Sequence, residues 1–312
     1  MTVTLQAIEQ AAIYLRDHVA KTPVEASAVG VLKLENRQVT GSFKVRGALW
    51  KLARTAPGTA VAAASAGNHG LGLAYAARLR GAAATIYVPS TVDAAKARGI
   101  LALGATLVRS PHAGYDDTAA WGAERAANDG LSWVSAYEDP DIIAGNGGSL
   151  ALEILDQVPD VDTIVVPTGG GGMLAGVVTA VLARRPAVRV VAVQHEGCPA
   201  LAWSLARGQV VTHTEPFDTA AGGLEGGFGA LNFEIVRGHV DTATVSEAEL
   251  FEAMRFLWDE HREVAEPSGA AAIAAVRAGR VDAGPRTVVV VTGRNVARAT
   301  LVRALQEGRD AT

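Results

Sequence analysis

Cysteine is nearly absent: 312 residues contain one, Cys198. A single thiol excludes an intrachain disulfide framework and any multi-cysteine zinc site, and it fits a reducing compartment. Its simplest use is as a small buried hydrophobe. Charge of one sign is also lacking. A net charge of −4 gives no electrostatic reason to expect nucleic acid or an anionic membrane as partner. The first residues, "MTVTLQAIEQAAIYLRDHV", contain no basic region followed by an apolar stretch, so no signal peptide is expected. Apolar runs such as "TVVVVTG" are strand-length and too short to span a bilayer. These absences predict a soluble, cytoplasmic protein. Aromatics are few, at 5%, whereas hydrophobic residues make up 49% and glycine is abundant, with 34 residues. The length allows a large core and suggests two domains.

Short apolar runs alternate with longer segments of helical period. Leu5, Ile8, Ala12 and Leu15 keep helical spacing, and Thr22-Pro23 ends that segment. Strands are expected at 31–34, 60–64, 84–88, 106–108, 163–166, 188–193 and 287–291, with helices at 70–80, 115–128, 142–157 and 171–184. Ser246 and Glu249 form a capping box that opens a helix over 247–262. Continuous apolar strands alternating with helices indicate parallel sheet covered on both faces, an open α/β architecture.

In such sheets ligands gather at the carboxyl ends of strands. The segment "TGSFKVRGAL" sets Lys44 between Phe43 and Val45, with Gly41 and Gly47 three residues away on either side. A buried amine there would have a lowered pKa and serve as nucleophile and base; a surface lysine opening a helix is the plain alternative. In "ASAGNHGLGLAYAA", Ser65, Asn68 and the amides at a helix start could hold a carboxylate, or the turn could simply be capped. In "VVPTGGGGMLAGV", four glycines, Gly169 to Gly172, follow a strand and open a helix. Successive N–H groups of such a loop can close around a phosphate. The spacing matches neither a P-loop nor a dinucleotide fingerprint. Glu266 precedes a small-residue helix, and the last strand ends in Thr292-Gly293. A lysine, a phosphate cradle and small polar groups at strand ends together suit a pyridoxal phosphate enzyme, in which the amine forms a Schiff base.

The segments "KLENRQVTGSFKVRGA", "ASAGNHGLGLA", "AGNGGSLALEI", "VVPTGGGGMLAGV", "EVAEPSGAAAIAA" and "VVVVTGRNV" occur in the order seen in the serine/threonine dehydratase family. The chain resembles that family, which includes catabolic threonine dehydratase and serine racemase, from about residue 20 to 300. The resemblance implies pyridoxal phosphate fold type II: two open, mostly parallel twisted sheets flanked by helices. A small mobile domain, 60–138, would be inserted in a large cofactor-binding domain, 1–59 and 139–312. It implies Lys44 as the Schiff-base lysine, with Phe43 beside the cofactor ring and Asn68 on the phenolic oxygen. Gly169, Gly170, Gly171, Gly172 and the amide of Met173 would bind the phosphate, and Thr292 would face the pyridine nitrogen. Ser65, Ala66, Gly67, Asn68 and His69 would receive the substrate carboxylate. Glu266, Gly223 and Arg294 are further candidates near the centre. A homodimer acting on a small amino acid is the family expectation.

The implied activity is β-elimination from a 3-hydroxy amino acid such as L-threonine or L-serine, giving a 2-oxo acid and ammonia. The alternatives are a racemase, a β-replacement synthase of the cysteine synthase kind, and a silent regulator that binds a phosphorylated ligand. Ala66 stands where serine racemase has its second acid–base serine, and Val45 follows Lys44 where the synthases usually have aspartate. Gln194 occupies the place of a metal-binding carboxylate in several relatives, so no metal is expected. "GNGG" at 145–148, Gly222 and Arg294 also depart from the family pattern; Arg294 could bind a distal carboxylate or remain a surface cation. No regulatory extension is expected after "VRALQEGRDAT".

Overall fold

A computed structural model describes residues 3–306 except 66 and 93. The strands are β1 (Val24–Ser27), β2 (Gly30–Leu34), β3 (Val61–Ala64), β4 (Ala84–Val88), β5 (Thr106–Arg109), β6 (Ser132–Trp133), β7 (Thr163–Pro167), β8 (Arg189–His195), β9 (Asp241–Val245) and β10 (Thr287–Val291). They form a six-stranded sheet in the order β1-β2-β10-β7-β8-β9 and a four-stranded sheet in the order β5-β4-β3-β6. Every pairing is parallel except β1 with β2. The two-sheet architecture expected from the sequence is present, and the four-stranded sheet comes wholly from residues 61–133.

The apolar strands are continuous because both faces of the large sheet are covered. Alternation sends Ile164, Val166, Val288 and Val290 into one core and Val165, Val289 and Val291 into the other. Thr4 caps the first helix, Leu5–Leu15, by accepting from the Ala7 amide, and the helix buries Ile8, Ala11 and Leu15. The capping box at Ser246 opens the helix Glu247–His261. Among the described residues, no helix is long and apolar enough to cross a membrane.

The single helix expected over 142–157 is instead Pro140–Ile143, one π-helical turn Ala144–Gly148, and Ser149–Gln157. Backbone crowding explains the interruption. A Cβ on Gly147 would lie 1.8 Å from the carbonyl oxygen of Met173, and one on Gly145 would lie 2.7 Å from the Cα of Gly47. Asn146 Oδ1 accepts from the Gly47 amide at 2.7 Å. The "GNGG" departure thus lies where this turn crosses two other helices, Lys44–Arg54 and Gly172–Arg184.

A buried charge cluster fixes the helix Lys44–Arg54 to the large sheet. Arg46 donates to both oxygens of Glu35, at 2.8 and 2.7 Å, and to Glu153 at 3.0 Å. Lys33 on β2 donates to Glu153 at 2.5 Å and to the Thr22 carbonyl at 2.7 Å. Burial works against ionisation of Glu35, but the charge and hydrogen bonds of Arg46 outweigh it, with help from Lys33 and Thr22, and its pKa is lowered.

Candidate active site

The carboxyl ends of β3, β7 and β10 converge on one cavity of about 210 Å³. Lys44 reaches it because the chain before it is stitched to the end of β10. Ser42 forms an isolated antiparallel bridge with Gly293, and the Phe43 amide donates to the Thr292 carbonyl at 3.1 Å. The helix then begins at Lys44 itself. Lys44 Nζ donates to the carbonyl of Ala136 at 3.0 Å and lies 5.3 Å from the centre of the Phe43 ring. Burial lowers its pKa to about 8, with the Glu266 carboxylate opposing the shift. The plain reading of Lys44 as a surface cation is set aside by this environment.

Opposite, Gly169 to Gly172 run from the end of β7 into the helix Gly172–Arg184. Side chains have no room there. A Cβ would lie 2.3 Å from the Gly223 carbonyl at Gly169, 2.5 Å from the Tyr137 ring at Gly170, and 2.7 Å from the Tyr137 carbonyl at Gly172. Gly171 has φ +90°, a conformation that glycine adopts without penalty. Asn232 Nδ2 and the Gly229 amide donate to the Gly170 carbonyl, at 2.7 and 3.1 Å, which fixes the loop. The N–H groups of the first helical turn have no helical acceptor and are free to hold an anion. Met173 is buried and lines the cavity.

After β3, Ser65 lines the cavity and its Oγ accepts from the Gly67 amide at 3.1 Å. Ala66 lies outside the described residues. Asn68 opens the helix Asn68–Arg80, and its Nδ2 donates to Glu266 Oε1 at 2.5 Å. Its own Oδ1 accepts from Asn295 Nδ2 at 2.7 Å. His69 is buried, and its Nε2 donates to the Val134 carbonyl at 3.2 Å. Burial, then the Lys44 charge, lowers its pKa to about 3 against that hydrogen bond, so the imidazole is neutral.

Thr292 lines the cavity, as does Gly223, whose amide donates to Ser268 Oγ at 2.9 Å. Arg294 is exposed and outside the lining; only its backbone takes part, donating to the Gly41 carbonyl at 2.9 Å. Gln194 also lies outside the lining, where it accepts from the Ala202 amide at 3.1 Å. Among the described residues, no group of three or more His, Cys, Asp or Glu is placed to hold a metal.

Sequence reasoning missed Pro89, Tyr115, Tyr137, Glu225 and Ser268 in the lining. The Tyr115 and Tyr137 rings are 6.3 Å apart, and burial raises the pKa of both phenols. Two of these residues could have been found by applying the strand-end rule to β4 and β6: Pro89 directly follows β4, and Tyr137 follows β6 by four residues. Asn295 was missed because it does not line the cavity and acts on Asn68 from behind.

An amine, a side-chain-free amide cradle and a buried hydroxyl at the end of β10 bound one space. The donor set fits pyridoxal phosphate, which offers a carbonyl, a phosphate and a ring nitrogen to those three groups. Residues 15–293 match the family model described as pyridoxal-phosphate dependent enzyme. The chain belongs to that family, and pyridoxal phosphate is its cofactor. It is 35% identical over 319 residues to the L-threonine ammonia-lyase of Thermotoga maritima, covering 98% of this chain and 79% of that one. It is 36% identical over 291 residues to the serine racemase of Homo sapiens, covering 88% and 84%. The solved structure of maize serine racemase superposes with a TM-score of 0.89 at 29% identity, covering 98% and 97%.

Proposed function

We propose that this enzyme is an ammonia-lyase that converts a 3-hydroxy amino acid, such as L-threonine or L-serine, to a 2-oxo acid and ammonia. The observation that carries the reading is the low-pKa amine of Lys44 facing the same cavity as the glycine cradle. The threonine ammonia-lyase relative supports it. Bound there, pyridoxal phosphate supplies a carbonyl for the substrate amine and a conjugated ring that takes up the electron pair left at the α-carbon.

This chain's residues do the rest. Lys44 removes the α-proton, since an amine with a pKa of about 8 is partly unprotonated near neutrality. Ser65 Oγ already accepts from Gly67, which leaves its O–H free to donate to the substrate carboxylate. The amides opening the helix Asn68–Arg80 complete that site. Neutral His69 is not the acid that protonates the departing hydroxyl. Thr292 offers the ring nitrogen a hydroxyl rather than a carboxylate, which moderates electron withdrawal and favours elimination over deeper carbanion chemistry. The enamine released hydrolyses to the oxo acid and ammonia. Among the described residues of the lining, Lys44 is the only basic side chain besides His69, which is neutral, and the acidic ones are Glu225 and Glu266. That supports a neutral substrate side chain over an acidic one.

Racemisation is the second reading, favoured by the serine racemase relatives. It needs a proton donor on the opposite face of the α-carbon, and residue 66 is alanine, which has none to give. The reading extends to a small domain, 60–138, closing on the large one, 1–59 and 139–312, which the separate sheet of residues 61–133 supports. A cytoplasmic homodimer completes it; the lone, unpaired Cys198 supports a reducing compartment, and sedimentation tests the dimer. The deciding experiment offers serine, threonine, hydroxyaspartate and bulkier 3-hydroxy amino acids. It measures 2-oxo acid, ammonia and the chirality of the remaining substrate, with sulfide incorporation into an O-activated serine as control. Conversion of L-serine to D-serine without oxo acid would refute the lyase assignment.

A further inference from the structure

Asn295 belongs to neither the cavity lining nor any charged cluster, yet its side chain joins two segments of the site. One hydrogen of its Nδ2 goes to the Thr40 carbonyl at 2.8 Å, and the other to Asn68 Oδ1 at 2.7 Å. Asn68 Nδ2 donates in turn to Glu266 Oε1 at 2.5 Å. The direction of this chain is set at both ends. A backbone carbonyl can only accept, and Glu266 Oε1 accepts from the Asn68 amide. Asn295 must therefore turn its nitrogen toward Thr40 and Asn68, and Asn68 must turn its nitrogen toward Glu266.

The surroundings leave no slack. Gly41 has φ +77°, and a Cβ there would lie 2.6 Å from Asn295 Oδ1. A Cβ on Gly293 would lie 2.1 Å from Glu266 Oε1 and 3.1 Å from Asn68 Nδ2. The Arg294 amide donates to the Gly41 carbonyl at 2.9 Å, so the turn carrying Asn295 is held against the segment that leads to Lys44.

We propose that Asn295 is a positioning residue that holds the Asn68 amide with its oxygen turned away from the cofactor and its remaining N–H available to the cofactor's phenolic oxygen. This rests on the pyridoxal phosphate reading of the cavity. A free asparagine amide can rotate by half a turn and present oxygen instead of nitrogen. An oxygen there would repel the phenolate, so locking one orientation makes Asn68 a donor only.

Asn295→Asp replaces the donor with an acceptor. The carboxylate repels Asn68 Oδ1 and pulls the amide round. The test compares equilibrium binding of pyridoxal phosphate with binding of an analogue lacking the phenolic hydroxyl, followed by quenching of tryptophan fluorescence. Asn295→Asp is expected to weaken pyridoxal phosphate binding by at least about tenfold, the worth of one hydrogen bond to a charged group, with the analogue much less affected. The pH titration of the bound cofactor's visible absorbance should also shift. Asn295→Ala, checked for native circular dichroism and melting, should show a smaller selective loss and serves if the aspartate variant does not fold. Equal losses for both ligands, or no loss in a folded variant, would overturn the proposal. Failure of the unaltered protein to bind pyridoxal phosphate at all would instead remove the cofactor reading beneath it.

Discussion

The ring of Phe228 stands 2.3 Å from where a Cβ on Gly171 would be, so the two residues exclude any side chain at the third glycine of the cradle. The Phe228 ring fills the space that a side chain at Gly171 would need. Gly171→Ala adds a strained φ of about 1 kcal/mol or more to an overpacking cost of about 1–3 kcal/mol. The expected outcome is at least a tenfold loss of cofactor affinity, using about 1.4 kcal/mol per tenfold. Adding Phe228→Leu should recover the steric part and leave the part due to φ. Equilibrium dialysis with pyridoxal phosphate measures both.

Lys44 has a pKa of about 8, lowered chiefly by burial. The rate at which the cofactor-free protein captures pyridoxal phosphate should rise about tenfold per pH unit below that value and level off above it. Stopped-flow absorbance follows the capture. Because burial penalises the charged form, the penalty holds below the folded pKa. It is relieved as pH rises from about 8 toward the usual 10.5, and the stability of the cofactor-free protein should increase over that window. Lys44→Ala should abolish turnover and the covalent cofactor band together, and should flatten that part of the stability profile.

Arg46 and Glu35 are both shut away from solvent, at 2% and 0% exposure. Arg46→Met leaves the Glu35 carboxylate buried without its main partner and should cost about 3–5 kcal/mol, read from urea unfolding. The double variant Arg46→Met, Glu35→Leu should recover much of that loss. In the native protein the Glu35 pKa is lowered, so its stabilising contribution is present above the usual value of 4.5 and lost as pH falls through the folded value. Melting curves below about pH 5 should show the native protein losing stability more steeply than the double variant.

Asp116 Oδ2 accepts from two loop amides, Thr214 at 3.3 Å and Gly227 at 3.1 Å. Those residues bracket Ala220 to Glu225, part of which lines the cavity. Asp116→Ala should free the loop, raising KM for the amino acid by several-fold with a smaller change in kcat. It should also open residues 214–227 to limited proteolysis. A variant with native KM and native protease resistance would show that the loop holds without this carboxylate.

Much of this was legible because parallel strands buried on both faces carry an uninterrupted apolar signal. β7 and β10 show it plainly, and the expected span of β10 is the observed one. β1, β6 and β9 escaped notice for physical reasons. β1 is an antiparallel edge of four residues, β6 has two, and β9 opens on two exposed polar residues, Asp241 and Thr242. Lys44 and the glycine loop could be read because each had an unusual composition. Tyr115 could not, because its placement depends on packing between segments distant in sequence. The π-helical turn was hidden for the same reason: its cause is Met173 and Gly47, not its own residues.

The charge cluster around Arg46 sits two residues from Lys44. Its members come from β2, from the helix holding Glu153 and from the segment before β1 at Thr22, so it exists only once those parts have met. None of Thr22, Lys33, Glu35, Arg46 and Glu153 lines the cavity, so the helix that begins at Lys44 is held from outside the site.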